Sequence, residues 1–132
     1  MKWTLLIVMI FTCGLVGCGV WDRSTQDVED TKWVPVEIML SEIPADKDYY
    51  LSFSNNNINA YVGCNLVFGY YAIQGGTMSI RTGATRMYCA DNMFIERLLI
   101  QSLRETARYN RSGEYLLFYN SNNDVVAKFR LV

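Results

Sequence analysis

The sequence predicts an α+β domain, a small antiparallel barrel-like sheet of about seven or eight strands with one α-helix packed against it. Short segments of β-branched and aromatic residues alternate with polar ones, and Asn and Gly separate them as turn residues do. A single stretch after Asp91 instead repeats its apolar residues at helical spacing. A twisted sheet of this size tends to close on itself, which favours a barrel.

Residues 1–17 are predicted to be a lipoprotein signal peptide. Lys2 supplies a positive charge, an apolar run continues to Gly14, and the segment ends in Leu15-Val16-Gly17-Cys18. The run is too short for a membrane span. The L-V-G-C sequence resembles the lipobox of bacterial lipoproteins, in which the cysteine is acylated and the chain is cut before it. An ordinary signal peptide or an anchor helix is the alternative.

The rest of the chain divides into a tether and a domain. Cys18 is the predicted lipidation site, residues 18–31 are a polar, acidic tether, and residues 32–132 form the domain. We expect acyl chains on Cys18 to hold the protein on a membrane. Without Lys2, 11 basic residues stand against 13 acidic ones, and no basic stripe is present, so nucleic acid is not an expected partner.

Five strands are predicted in the first part of the domain. They are Trp33–Leu40, Tyr49–Phe53, Asn57–Val62, Asn65–Ile73 and Thr77–Arg81. Pro35 lies in the first of them and favours an edge position, because proline has no N–H for the ladder. Tight turns are predicted at 54–57 and at Gly75-Gly76, since Asn and Gly accept left-handed backbone conformations.

The helix is predicted to begin at a cap on Asp91 or Asn92 and to end near Arg108. Its apolar residues share one face, which are Phe94, Ile95, Leu98, Leu99 and Leu103. We interpret this face as one that covers the core; a partner-binding helix is the alternative. Two strands then close the chain, at Tyr115–Tyr119 and Val125–Val132. In the last strand the alternation directs two sets to opposite faces: Val125, Ala127, Phe129 and Leu131 on one, and Val126, Lys128 and Arg130 on the other.

Two cysteines remain in the domain after Cys13 and Cys18 are accounted for. Cys64 and Cys89 either form a disulfide or stay as two buried thiols, and an oxidising compartment favours the disulfide. The bond would close a loop of about 25 residues and contribute about 3 kcal/mol. Two cysteines without any histidine are a poor ligand set, so neither a metal nor another cofactor is expected.

The composition argues against an enzyme. The chain has no histidine, which excludes Ser-His-Asp and Cys-His arrangements. Most acidic residues lie in the tether or in turn-like stretches, as on a solvated surface. A periplasmic inhibitor would need an exposed rigid loop, for which the segment Tyr109–Glu114 is the only candidate.

Two motifs resemble those of a known family. Gly63-Cys64-Asn65, followed by Gly69 and Tyr70, resembles the G-C-N…G-x-Y signature of META domains. The segment 84–90, Ala-Thr-Arg-Met-Tyr-Cys-Ala, resembles the A-T-R-M-x-C motif of the same family. The resemblance extends from Trp33 to Val132 and is greatest to the HslJ-like heat-shock lipoproteins.

The resemblance implies a barrel with one helix, without established catalytic residues, and a role in envelope stress or antibiotic tolerance. Asn65, Thr85 and Arg86 are the candidate motif or binding residues. Thr85 and Arg86 are expected to hydrogen-bond across the barrel end, with an anionic ligand on Arg86 as the alternative. The fold is also similar to that of pilot lipoproteins, whose partner is a secretin subunit or a hydrophobic ligand. Gly19 is not the aspartate that holds lipoproteins at the inner membrane, so we expect the outer membrane, periplasmic face.

Overall fold

The computed structural model describes residues 28–90 and 93–132 of the chain. The predicted signal peptide, the lipidation site Cys18, most of the tether and the predicted helix cap at Asp91 or Asn92 lie outside the described residues.

Nine strands and one helix follow one another within those residues. They are β1 (Thr31–Ile38), β2 (Ser41–Glu42), β3 (Tyr50–Ser54), β4 (Asn57–Tyr61), β5 (Leu66–Gln74), β6 (Thr77–Ala84), α1 (Met93–Glu105), β7 (Arg108–Ser112), β8 (Tyr115–Tyr119) and β9 (Val125–Leu131). All pairings are antiparallel. Eight strands form a barrel in the order β1-β3-β4-β5-β6-β7-β8-β9, which β1 closes by pairing with β9, while the two-residue β2 lies beside the end of β1. The predicted α+β barrel with one helix is confirmed.

Two seams of this barrel differ in length. The β1–β9 seam has five pairs of Cα partners, from Trp33–Leu131 to Ile38–Ala127. The β6–β7 seam has one, Thr77–Arg108, with backbone hydrogen bonds from Met78 to Ala107 and from Tyr109 to Gly76 on either side. The remainder of β6 has α1 as its neighbour. The helix therefore packs against β6 where the strand ladder stops, and it also contacts β1 and β9.

Aromatic side chains fill the barrel interior. Trp33, Phe53, Phe118 and Phe129 are fully buried, and the ring of Phe118 meets those of Phe53 and Phe129 edge to face. Tyr71 adds a further edge contact to Phe53, with ring centroids 5.1 Å apart. Such contacts supply both apolar burial and favourable ring electrostatics.

The strand containing Pro35 is not at an edge. β1 pairs with β3 and β2 on one side and with β9 on the other, so the edge prediction is wrong. The register of the β1–β9 ladder shifts between Pro35 and Glu37. A proline is tolerated at such an irregularity because the ladder is already interrupted there.

The helix is shorter than predicted and its apolar face is narrower. α1 ends at Glu105, and β7 begins at Arg108, so the segment proposed as an inhibitor loop is largely a strand of the barrel. Phe94 was expected in the core but is 64% exposed. In β9 the register shift opposite Phe118 and Tyr119 leaves Val125 exposed and turns Val126 inward, whereas Phe129 is buried.

The fold includes residues before the expected domain start at Lys32-Trp33. Val28 is fully buried in the core. The Glu29 carboxylate accepts hydrogen bonds from the Tyr71 hydroxyl and the Asn55 backbone N–H. The bond from Tyr71, assisted by backbone N–H groups of the β3–β4 turn, lowers the pKa of Glu29, although burial opposes the shift. Burial, and next the Glu29 contact, raise the pKa of Tyr71. The N-terminal segment is thus fastened to the β3–β4 hairpin.

Gly69 marks a close approach between β5 and β6. A Cβ atom added to Gly69 would lie 1.9 Å from the backbone oxygen of Arg81, a distance that no side chain can accept. The curved β5–β6 pair therefore requires glycine at this position.

Candidate functional site

The two sequence motifs meet at one end of the barrel. Gly63-Cys64-Asn65 connects β4 to β5, and Thr85 to Cys89 follow β6. A disulfide joins Cys64 to Cys89, with the two Cα atoms 5.8 Å apart. The positive φ of 106° at Gly63 turns the chain into this connection.

Asn65 is the centre of a buried hydrogen-bond network. Its side-chain oxygen accepts from the Thr85 hydroxyl at 3.0 Å and from the Met87 backbone N–H at 2.6 Å. Its side-chain nitrogen donates to the Met87 carbonyl at 3.1 Å and to Glu96 at 3.0 Å. The Thr85 hydroxyl also accepts from the Leu66 backbone N–H at 3.1 Å. A single asparagine thus ties the end of β6 to the start of β5.

Glu96 extends the network to the helix. Glu96 is only 3% exposed. One of its carboxylate oxygens accepts from the backbone N–H of Asn65 and the other from the Asn65 side-chain amide, each at 3.0 Å. The carboxylate lies in the first turn of α1, where a negative charge interacts favourably with the helix dipole. This contact fixes α1 against the motifs.

Sequence reasoning missed Glu96. It precedes Leu99 by three residues and Leu103 by seven, and this spacing puts it on the buried helix face with them. A carboxylate on an apolar helix face is buried and needs a hydrogen-bond partner there. The position of Glu96 on that face was therefore the signal that could have identified it as a site residue.

The candidate residues separate in the structure. Asn65 and Thr85 belong to the network, together with the disulfide. Arg86 is exposed and stays outside the network. Its side chain instead borders an open groove between β6 and α1.

This groove has a volume of about 670 Å³. Its lining combines apolar side chains with three arginines. The apolar ones include Phe68, Met87 and Tyr88, and the arginines are Arg86, Arg97 and Arg104. The Thr82 hydroxyl, also in the lining, is buried and has no hydrogen-bond partner among residues 28–90 and 93–132. The mixture suits an amphiphilic occupant with an acceptor or a negative charge.

The hydrogen-bond network and the disulfide act as a structural brace at this end of the barrel. Both oxygens of the Glu96 carboxylate are engaged by Asn65, which leaves this group poorly placed to act as a base. In residues 28–90 and 93–132 we find no group of three or more side chains placed to hold a metal ion. In the same residues no helix has the length and apolar character needed to span a membrane.

Comparisons with known proteins place the fold. The sequence profile of the META domain matches residues 26–132. An NMR structure of a protein from Burkholderia xenovorans is similar, with 25% identity, 82% of this chain and 86% of that chain covered, and a TM-score of 0.66. A crystal structure of a DUF4847 family protein from Bacteroides vulgatus covers 80% of this chain and 94% of its own at 12% identity, with a TM-score of 0.63, and shows the fold alone.

No curated protein matches the chain. The match to the META domain profile covers most of the sequence, and it includes both motifs and every described strand and the helix. The expectation drawn from G-C-N and A-T-R-M-x-C is therefore confirmed, and the chain belongs to the META domain family.

Proposed function

We propose that the protein is a non-enzymatic, lipid-anchored protein of the outer membrane, facing the periplasm, with a role in envelope stress or antibiotic tolerance like the HslJ-like lipoproteins it resembles. The observation that carries this proposal is the use of the family motifs. Asn65, Thr85 and the Cys64–Cys89 disulfide brace the barrel end, and none of them is left free for catalysis.

The disulfide supports export. Disulfides persist in oxidising compartments such as the periplasm and are rare in the cytosol. The same chain carries the L-V-G-C sequence ahead of the tether. A lipid on Cys18 would keep the folded domain beside the membrane, within reach of the tether.

Lipid attachment is tested by metabolic labelling with radioactive palmitate. The wild type and Cys13→Ser are expected to incorporate label and to sediment with outer-membrane fractions, whereas Cys18→Ser is expected to lose both properties. Cys13→Ser is the matched control, since it removes a thiol from the predicted signal peptide without touching the lipobox. Equal labelling of Cys18→Ser and the wild type would refute the anchor.

The physiological role is tested in a deletion strain. We expect reduced survival after heat shock and lower tolerance to hydrophobic antibiotics, with recovery on expression of the wild type. Complementation by Cys18→Ser is expected to be poorer, because the domain is no longer concentrated at the membrane. A deletion strain with unchanged tolerance to both stresses would count against the stress role.

A second candidate is a pilot lipoprotein that binds and localises a secretin. The groove between β6 and α1 favours it, since an amphipathic segment of a partner can dock along a helix and a strand. A crosslinked pull-down of the lipidated protein from solubilised envelope is expected to recover a secretin subunit if this candidate holds. Normal secretin multimers in the deletion strain would exclude it.

A further inference from the structure

We propose that the groove between β6 and α1 binds the phosphate headgroup of an anionic phospholipid, while the apolar side chains on its rim contact the hydrophobic part of the same lipid. This inference rests on the proposed membrane anchor, which would keep the domain beside a lipid surface. The contact itself belongs to the folded domain and does not involve Cys18.

The groove carries an excess of positive charge. Arg86 lies on the β6 side, and Arg97 and Arg104 lie on α1; all three are exposed, and none forms an ion pair within residues 28–90 and 93–132. Glu96 is the one carboxylate in the lining; it is buried and accepts from Asn65, so three exposed guanidinium groups stand against one carboxylate. Glu105, outside this lining, accepts from Gln101. Planar guanidinium groups bind phosphate oxygens in pairs of parallel hydrogen bonds.

The arginines come from both walls of the groove. Arg97 and Arg104 are two helical turns apart on the same side of α1, which separates them by about 10 Å along the helix axis. Arg86 belongs to the opposite wall. A headgroup in the groove is therefore reached by guanidinium groups from two sides.

The rim beside these charges is apolar and exposed. Tyr88 is 85% exposed, Met87 is 57% exposed, and the Phe68 ring lies across Gly83 on the outer face of the β5–β6 pair. Aromatic and sulfur-containing side chains next to arginines are typical of surfaces that enter the membrane interface. Their burial against lipid would add to the headgroup contacts.

The distribution of charge favours a lipid over an acidic peptide. An extended peptide spreads its carboxylates along its length and would need arginines spaced along a strand edge. Here the three cations surround one short groove, with the apolar surface adjacent to it. A compact anion with an apolar remainder fits that pattern.

The test uses the exported chain from Gly19 onward, produced with a cleavable signal that receives no lipid. Every described strand, the helix and the disulfide lie within residues 28–132, so this chain keeps the whole barrel. We expect it to sediment with vesicles of phosphatidylglycerol mixed with phosphatidylcholine at about 0.1 M salt. It is expected to stay in solution with phosphatidylcholine alone, and to be released at about 1 M salt, where charges are screened over a few ångströms.

Matched variants localise the contact. Each groove arginine is expected to contribute about fivefold to vesicle affinity, so Arg97→Gln with Arg104→Gln lowers it about 25-fold. Arg130→Gln makes the same change at an exposed site on β9 outside the groove lining and is expected to leave the affinity unchanged. Tyr88→Ser weakens binding through the rim. Unchanged circular dichroism checks that the exposed substitutions leave the fold intact.

Three results with vesicles and peptides would overturn the proposal, and so would one competition result. They are equal affinity for phosphatidylcholine vesicles, an equal loss in Arg130→Gln, or binding of an acidic peptide at Arg97 and Arg104 without vesicle binding. Competition by soluble glycerol phosphate at the affinity of the vesicles would also overturn it, since the rim would then contribute nothing. Palmitate labelling of Cys18 is independent of these variants, so failure here is distinguishable from failure of the anchor.

Discussion

The two seams of the barrel solve the same closure problem in different ways. β1 and β9 form a ladder of five partner pairs between distant parts of the sequence, with buried aromatic side chains behind it. β6 and β7 share a single register pair, and beyond it β6 packs against α1. A helix offers no free backbone groups to a neighbouring strand, so side chains must supply the specific contacts there.

The family motifs provide those contacts. Asn65 bonds to both the segment after β6 and Glu96 of α1, and the disulfide joins the same segment to the β4–β5 connection. The comparison indicates that the motifs belong to the side of the barrel where the ladder is missing. Stability on the β1–β9 side should then depend on packing, and on the β6–α1 side on a few polar and covalent links.

The largest effect is expected for Asn65→Ala. The substitution removes the four hydrogen bonds of the Asn65 side chain and leaves one oxygen of the buried Glu96 carboxylate without its donor, while the bond from the Asn65 backbone N–H remains. We therefore expect a loss of about 3 to 5 kcal/mol in the free energy of unfolding. Denaturant unfolding measures it. Asn59→Ala, on the outward-facing side of β4, is the control and should stay within about 0.5 kcal/mol of the wild type. Similar losses in both variants would contradict the network's importance.

Removal of the disulfide should have the next largest effect. Cys64→Ser with Cys89→Ser is expected to cost about 3 kcal/mol, from release of a 25-residue loop in the unfolded chain. Native-state hydrogen exchange should show the asymmetry, with faster exchange in β6 and α1 and little change at the β1–β9 seam. Uniform acceleration across the barrel would show that the two seams open together.

Glu96→Gln should destabilise by about 2 kcal/mol. An amide has one oxygen, so it can accept only one of the two bonds from Asn65, and its nitrogen faces a second donor. The helix also loses a favourable negative charge in its first turn. Thermal unfolding measures the change, with Glu105→Gln at the exposed helix end as the control. A Glu96→Gln protein as stable as the wild type would show that the contact between Asn65 and α1 does not stabilise the fold.

The smallest effect is expected at the N-terminal fastening. Because the folded pKa of Glu29 lies below its ordinary value of 4.5, the stabilisation is complete above that pH and is lost as the pH falls through the folded pKa. Glu29→Gln should cost about 1 kcal/mol at neutral pH, since the site is partly exposed. The difference from the wild type should vanish in acid, as measured by unfolding at several pH values. A difference that persists at low pH would exclude the charge as its cause.

The strands were predictable where local signals agree with the final packing. Asn55 and Asn56 have positive φ values of 51° and 61°, as their residue types indicate, and the alternation along β4 matches its burial. Pro35 and Val126 broke the pattern because register shifts with a distant strand decide their environment. A register shift is a property of two strands and leaves no mark on either alone.

The site was only partly predictable for a similar reason. The cysteines and Asn65 belong to a recognisable motif, so they could be predicted as site residues from the sequence. Glu96 had a position on the helix face but no visible partner, since the partner is 31 residues away. Phe94 has helical spacing but faces solvent, because the buried face of α1 is centred on Glu96, Leu99 and Leu103.

The covalent ring between Cys64 and Cys89 encloses the whole β5–β6 hairpin. Its presence makes the folded population depend on the redox state of the surroundings. A contribution of about 3 kcal/mol corresponds to about a hundredfold change in the ratio of folded to unfolded chains. The same sequence therefore stays more open to unfolding wherever thiols are kept reduced, and it becomes committed to the barrel once an oxidant closes the ring.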